Sequence, residues 1–447
     1  MPELNKGSNK LLTAWAFYDW ANSVYSLVIS SAIFPIFYGA LFSEVDNYIE
    51  FLGFRLKNTA LISFVTAAAF LVVAFISPLL SGIADFVGNK KTFMKFFCYL
   101  GALSCISLYW FDLRNIGFGL LFYFLVLIGF WGSLVFYNSY LPDIAFPEQQ
   151  DRISAKGYSL GYIGSVILLV INLGMVMMPE IFGITGTEGE AAMKAMRYSF
   201  IMVGIWWIGF SQYTYYYLPK GNKSRNQMSG AVVFNGFREL KKVWRSLTDN
   251  IPLKRYLSGF FVYSMAVQTV MLVATYFGSQ EIEWPSKAES TTGLIICILL
   301  IQLVAVAGAV LTSRTSKKFG NIPTLIAINI FWVGLCVGAY FITKPIEFYV
   351  MAALVGLVMG GIQSLSRSTY SKLLPDTPDT ASYFSFYDVS EKIGIVFGML
   401  IYGIIDQVTG SPRFSIVFLA LFFIIGIVLL RRIPTTTSLM PVNNSSV

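Results

Sequence analysis

Gly82-Ile83-Ala84-Asp85-Phe86-Val87-Gly88-Asn89-Lys90-Lys91 is a short polar turn set between two apolar runs, 60–83 and 92–111. A hydrocarbon core of ~30 Å takes roughly 20 apolar residues of helix, so each flanking run is long enough to cross it. Between them Gly88 permits a sharp reversal, and Lys90 and Lys91 keep the turn out of the hydrocarbon. The same alternation of long apolar run and short polar turn recurs along the chain. Spans are expected near 14–41, 60–83, 92–111, 115–141, 155–178, 196–218, 256–278, 291–313, 322–342, 347–371, 382–408 and 412–430. The expected fold class is an all-α polytopic membrane protein with twelve transmembrane helices in two six-helix pseudo-repeated bundles.

Composition agrees. The chain is 56% hydrophobic and 13% charged, with a mean hydropathy of +0.65, far from a soluble domain. Pro2–Lys10 is polar and the apolar run after it has no small-residue cleavage site, so the first helix reads as an uncleaved anchor. The net charge of +8 is topological rather than a nucleic-acid signal. With the N-terminus in the cytoplasm, about 23 of the 32 Lys and Arg fall in cytoplasmic segments. That bias places both termini inside, as expected for a multi-pass protein of a bacterial inner (plasma) membrane. Cys98, Cys105, Cys297 and Cys336 all sit in apolar runs without metal-ligand spacing and read as small buried hydrophobes. The chain has no histidine, so proton coupling would have to use carboxylates.

The longest polar connection, 219–255, divides the chain. An N-terminal six-helix bundle is expected over 1–218, a cytoplasmic linker over 219–255, a C-terminal six-helix bundle over 256–432 and a short tail over 433–447. The linker opens with a turn-prone stretch, 219–226. Within it Val233, Phe237, Leu240, Val243, Trp244 and Leu247 then recur at helical spacing opposite Arg238, Lys241, Lys242 and Arg245, a basic amphipathic helix suited to the inner membrane surface. The turn after the eighth run, Arg314-Thr315-Ser316-Lys317-Lys318-Phe319-Gly320-Asn321, echoes the one after the second in its basic character and its Gly-Asn ending.

The 82–91 turn resembles the signature of the second-to-third loop of the major facilitator superfamily. That resemblance implies that Asp85 caps a helix N-terminus of the other half, with Lys90 and Lys91 at the inner gate. The second copy carries Lys317 where the acid should stand, so a reciprocal latch is not expected. Finer blocks resemble the unknown major facilitator family related to the autophagy-linked vacuolar amino-acid effluxers. They are Trp15 to Ser23 followed by Phe34-Pro35, Asn138 to Ala145, Asp151 to Gly164, Gly361 to Ser368, and Phe384 to Lys392. The resemblance implies amino-acid export and a monomer, and the sequence itself suggests no cofactor.

In that architecture the first, fourth, seventh and tenth helices line a central cavity. The candidate solute or ion pathway is therefore Asp19, Asn22 and Ser26, then Asn138, Gln268, Gln363 and Arg367. Asp19, Ser23, Ser26 and Ser30 share one helical face, which lipid cannot satisfy. The bland alternative is interhelical hydrogen bonding, worth well under ~2 kcal/mol per group. Asp388, Glu391 and Lys392 share a face of the eleventh helix, in the favourable acid-before-base order. A charge at mid-membrane costs ~2.5–3.5 kcal/mol, so these groups and the Asp19 and Arg367 charges need partners. They are expected to form an inner gate of ion pairs, with Arg367 in direct solute contact as an alternative. Asp19 is the first candidate to carry a coupling proton and Glu391 the second, with sodium left open.

The leading expectation is a secondary active transporter of a small polar organic solute, an amino acid in its specific form, acting by alternating access with proton coupling. An exporter of amphiphilic or lipid-like compounds is the alternative. A non-transporting sensor would need a signalling domain or long tail, which is not seen beyond Arg432, and a channel would lack ligand-dependent counterflow. An enzyme is not expected, because no nucleophile constellation or metal cluster stands out. The expected partners are the lipid bilayer, the solute and the coupling ion, with no nucleic acid.

Overall fold

The computed structural model describes residues 4–42, 48–51, 53–220 and 232–434. The turn-prone stretch of the linker falls outside the described residues from 221 onward, and the tail does so from 435. Among the described residues, eleven helices are long and apolar enough to cross a bilayer. They are Asn9–Leu41, Asn58–Val87, Lys90–Trp110, Leu113–Ile144, Pro147–Met177, Ile251–Glu281, Glu289–Phe319, Asn321–Gly338, Pro345–Leu373, Thr380–Thr409 and Pro412–Arg431. Glu188–Tyr217 is 30 residues long as well, but Gln212 and the tyrosine-rich Tyr213–Tyr217 end lower its hydropathy. It packs on the first and third spans, burying Phe200, Val203 and Trp207, and takes the sixth place. With it the described residues hold the twelve expected spans, numbered in chain order.

Several helices start before the apolar run that marks them. The first begins at Asn9 rather than 14, and the fifth at Pro147 rather than 155. A helix needs apolar cover only within the hydrocarbon, and its polar first turns extend into the headgroup layer. Gly88 closes the second span with φ +71°, so the reversal read from the 82–91 turn is real. The first span widens to π-helix over Tyr25–Ile33, where the Phe34 N–H bonds the Ile29 carbonyl. A small hairpin, β1 Tyr48–Phe51 paired antiparallel with β2 Phe54–Lys57, was not expected from the sequence.

Side chains sort as lipid solvation requires. Phe75 and Val408 are 77% and 80% exposed and belong to the lipid-facing surface. One aromatic-rich core runs through the first six spans, around Trp15, Tyr18, Tyr25, Phe37 and Trp207. A second runs through the later six, around Tyr256, Tyr263, Trp332, Tyr370 and Phe423. The two sets meet where the fifth span packs on the eighth and tenth, and where the second and fourth pack on the eleventh.

The linker helix, Val232–Asp249, forms as its spacing predicts. Beyond lying on a surface, it docks: Val243 and Leu247 are buried in the second core. Lys242 pairs with Asp379 at 3.1 Å, Tyr383 donates to the Ser246 hydroxyl at 2.8 Å, and Trp244 meets the Phe386 ring. The side chains of Val233, Phe237 and Leu240 lie outside the described residues.

Candidate functional site

A cavity of about 500 Å³ lies between the two sets of spans. Asp19, Asn22, Ser26, Asn138, Gln268, Gln363 and Arg367 all line it, as do Asp388 and Glu391. Its walls are wider than the four expected helices. Thr66 of the second span, Tyr158 and Tyr162 of the fifth, Gln302 of the eighth and Tyr387 of the eleventh also contribute. The π-helical turn brings Ser30 and Ser31 to the wall together, extending the polar face that begins at Asp19. Asn22 is buried there with no partner for its amide nitrogen.

Toward the end at which the first span begins and the twelfth ends, the cavity is bounded by Arg367. This side chain is 2% exposed and reaches from the tenth span into the first half. Its Nη1 and Nη2 both donate to Asp19 Oδ2 at 3.2 Å, its Nε donates to Ser154 Oγ at 2.9 Å, and Nη2 donates to the Ser154 carbonyl at 2.9 Å. Asn138 accepts a longer bond, 3.3 Å. Tyr137 completes the Asp19 shell, donating at 2.8 Å, and the guanidinium lies over the Tyr158 ring at 4.2 Å. Tyr162 donates to Gln363 Oε1 at 2.7 Å, a second bridge between the halves. Gly157 makes the approach feasible, because a Cβ there would strike the Asp19 carboxylate. The Gly157–Gly164 stretch therefore has a role in the site, although its sequence reads only as ordinary helix packing.

The eleventh-span charges correct the expected gate. Lys392 Nζ donates to Asp388 Oδ1 and to Glu391 Oε2, each at 3.0 Å, so the trio closes on its own helix. Its reach into the first half is the Trp131 ring, 3.4 Å from the Lys392 ammonium. Gln268 donates to Glu391 Oε1 at 2.8 Å. This cluster forms part of a cavity wall, and the cross-half ion pair at this depth is Asp19–Arg367. Helical spacing gave both groups without saying whose partner came from another helix.

Nearer the start of the first span, two acids make further contacts between the halves. Asp85 accepts from the backbone N–H groups of Ala381 and Ser382, at 3.3 and 2.7 Å, and from the Ser382 hydroxyl at 2.8 Å. Those donors open the eleventh span, so the carboxylate meets unpaired N–H groups and the positive end of a helix dipole. Lys90 stands beside it, paired with Asp143 at 2.5 Å and donating to Thr380. Lys91 turns away and donates to the Leu218 carbonyl of its own half at 2.6 Å, so it takes no part in the cross-half contact.

The second contact corrects the expectation from Lys317. A reciprocal latch is present, with the acid supplied by the facing helix. Asp151, at the start of the fifth span, accepts from Ser316 Oγ at 2.9 Å, Asn321 Nδ2 at 3.0 Å and Lys372 Nζ at 2.7 Å. Ser316 and Asn321 belong to the turn that echoes 82–91, while Lys317 is exposed. Sequence reasoning quoted Asp151 within a family block without giving it a role. Ser154 and Tyr158 of the same block were missed in the same way, and Tyr137 was not singled out at all, because their importance comes from partners far along the chain.

Helices of this number around a central cavity, with cross-half contacts at one end, define a multi-pass transporter of the major facilitator type. Solved structures agree on the fold. A structure of FucP in the outward conformation superposes with TM-score 0.70 at 14% identity, covering 96% of this chain and 99% of that one. The proton:xylose symporter XylE superposes with TM-score 0.71 at 12% identity, over 95% of each. Residues 7–439 match the family described as vacuole effluxer Atg22 like, and the chain belongs to that family. An uncharacterized MFS-type transporter, YxiO of Bacillus subtilis (strain 168), is 29% identical over 97% of each chain. Autophagy-related protein 22-1 of Phaeosphaeria nodorum is 23% identical over 94% of this chain and 89% of its own. Autophagy-related protein 22-2 of Aspergillus oryzae is 26% identical, over 62% of this chain and 49% of its own.

Proposed function

We propose that this protein is a secondary active exporter of a small polar organic solute, an amino acid in the specific form, and that it is described here facing outward. The observation that carries the reading is the cavity of about 500 Å³ with polar walls, floored by Asp19–Arg367. In this reading residues 1–218 and 256–432 are two bundles that rock about the solute, with 219–255 as tether. Both termini lie in the cytoplasm of a bacterial cell and the monomer is the working unit. The Asp85 and Asp151 contacts break when the cavity opens inward. Ion pairs suit a gate, since a separated charge is costly when buried and inexpensive when hydrated. The family description, vacuole effluxer, supports export as the direction. The mixed polar lining supports a polar solute over a lipid-like one.

Proton coupling is assigned to Asp19. Its cationic partner belongs to the other half, so rocking strips the carboxylate of Arg367 and favours proton uptake. The test is release of an amino-acid mixture from proteoliposomes, read by mass spectrometry with and without an imposed proton gradient. Selective, gradient-sensitive release is expected, and Asp19→Asn should abolish the gradient sensitivity. Release no greater than from empty liposomes in both conditions would remove amino acids as solutes. A variant with unchanged pH dependence would remove Asp19 as proton carrier.

A further inference from the structure

The charges around the cavity do not balance. Arg367 is answered by Asp19, but Lys392 is shared by two carboxylates, Asp388 and Glu391. With all three groups ionised, the eleventh-span cluster has one negative charge in excess. Asp388 is 6% exposed, and its second oxygen, Oδ2, has no hydrogen-bond partner although the residue lines the cavity. A buried carboxylate oxygen without a donor is an expensive feature, and a donor bearing positive charge relieves both deficits at once.

Beside Glu391 the cavity continues into a recess of about 20 Å³ walled by Tyr158, Phe260, Tyr263 and Tyr387, with Gln268 at its edge. That volume is the scale of a single small polar group. Two aromatic faces of the main cavity already hold cations, Lys392 over Trp131 and Arg367 over Tyr158, the second ring shared with the recess. For a carboxylate the same walls offer little. The cavity's cationic neighbours, Arg367 and Lys392, are both engaged by acids.

We infer that Glu391, Asp388 and this aromatic recess form an ammonium site, and that the solute is an organic cation bearing a protonated amine, basic amino acids included. The inference deepens the transporter reading and rests on it for the word solute, while the site itself is tested by binding. Purified full-length protein in nanodiscs is titrated with radiolabelled lysine, putrescine, leucine and glutamate, and counterflow of the same four is measured in proteoliposomes.

Lysine and putrescine are expected to bind about tenfold or more tighter than glutamate, the scale of one charged hydrogen bond. Glu391→Gln, which keeps the shape and the Gln268 contact, should reduce that preference to near unity, and Asp388→Asn should lower it. The wild-type preference decides the matter even where a variant does not fold. Binding of glutamate or leucine as tight as that of lysine and putrescine, or no lysine or putrescine binding below about 10 mM, overturns the site. Amine binding without counterflow of any solute would leave the site standing and refute transport. Counterflow of leucine or glutamate without lysine or putrescine binding would do the reverse.

Discussion

Replacing Arg367 with Met removes the one cation that answers Asp19 while keeping an apolar stem of similar length. The guanidinium makes its bonds to Asp19, Ser154 and Asn138 across the boundary between the halves, and it is 2% exposed. Leaving one member of a buried ion pair behind costs about 3–5 kcal/mol. When this end opens, water reaches Asp19 and most of the cost disappears. The penalty therefore falls on the closed-end state, and about 3 kcal/mol shifts the equilibrium between states roughly 100-fold. Ser26, exposed on the cavity wall, provides the reporter as Ser26→Cys. The four native cysteines are buried and give little background. Labelling by an impermeant maleimide added from the side opposite the start of the first span should slow in Arg367→Met, by about tenfold where the outward-open form of the wild type outweighs the inward-open form by about ten to one, and by about twofold at about a hundred to one. Adding Asp19→Asn should restore much of the wild-type rate, since removing both charges leaves none unpaired. Equal labelling rates in all three proteins, with only a lower unfolding temperature in Arg367→Met, would show that the pair is static packing and refute the gate.

Asp85→Asn removes the negative charge facing the N-terminus of the eleventh span, worth about 1–2 kcal/mol in partly buried geometry. Spin labels at exposed Arg152 and Lys317 should then report a new population at longer distance, and an unchanged distribution would refute the latch. Gly157→Ala should destabilise the protein by about 1–3 kcal/mol through overpacking against Asp19 and Arg367, read as a lower unfolding midpoint. Gly174→Ala, where a Cβ meets nothing within 4 Å, is the control and should not lower it.

Much of the site was visible in the sequence as residue types at the right depth. Asp19, Gln363 and Arg367 were legible because a polar group in an apolar run must find a partner, and lipid offers none. Asp85 was legible because its turn carries a recognisable spacing. The pairing was not legible. Arg367 meets Asp19 from 348 residues away, while Asp388 and Lys392 meet within one turn, and helical spacing treats an available local partner and a missing distant one alike. Asp151 was passed over for the same reason: an acid near the polar start of a helix looks solvated until Ser316, Asn321 and Lys372 are placed against it. The π-helical turn left no trace in composition, so the emergence of Ser31 beside Ser30 at the wall could not be read from a 3.6-residue period.

The sequence by itself determined that this chain crosses a membrane twelve times, since the bilayer prescribes the length of each apolar run and the polar turns between them. It also determined which few side chains could not face lipid. Only the tertiary structure decided which of those side chains hold the halves together and which shape the cavity. Both kinds are equally intolerant of hydrocarbon, and they differ only in whether the group that answers each one stands on the same helix or on the opposite half.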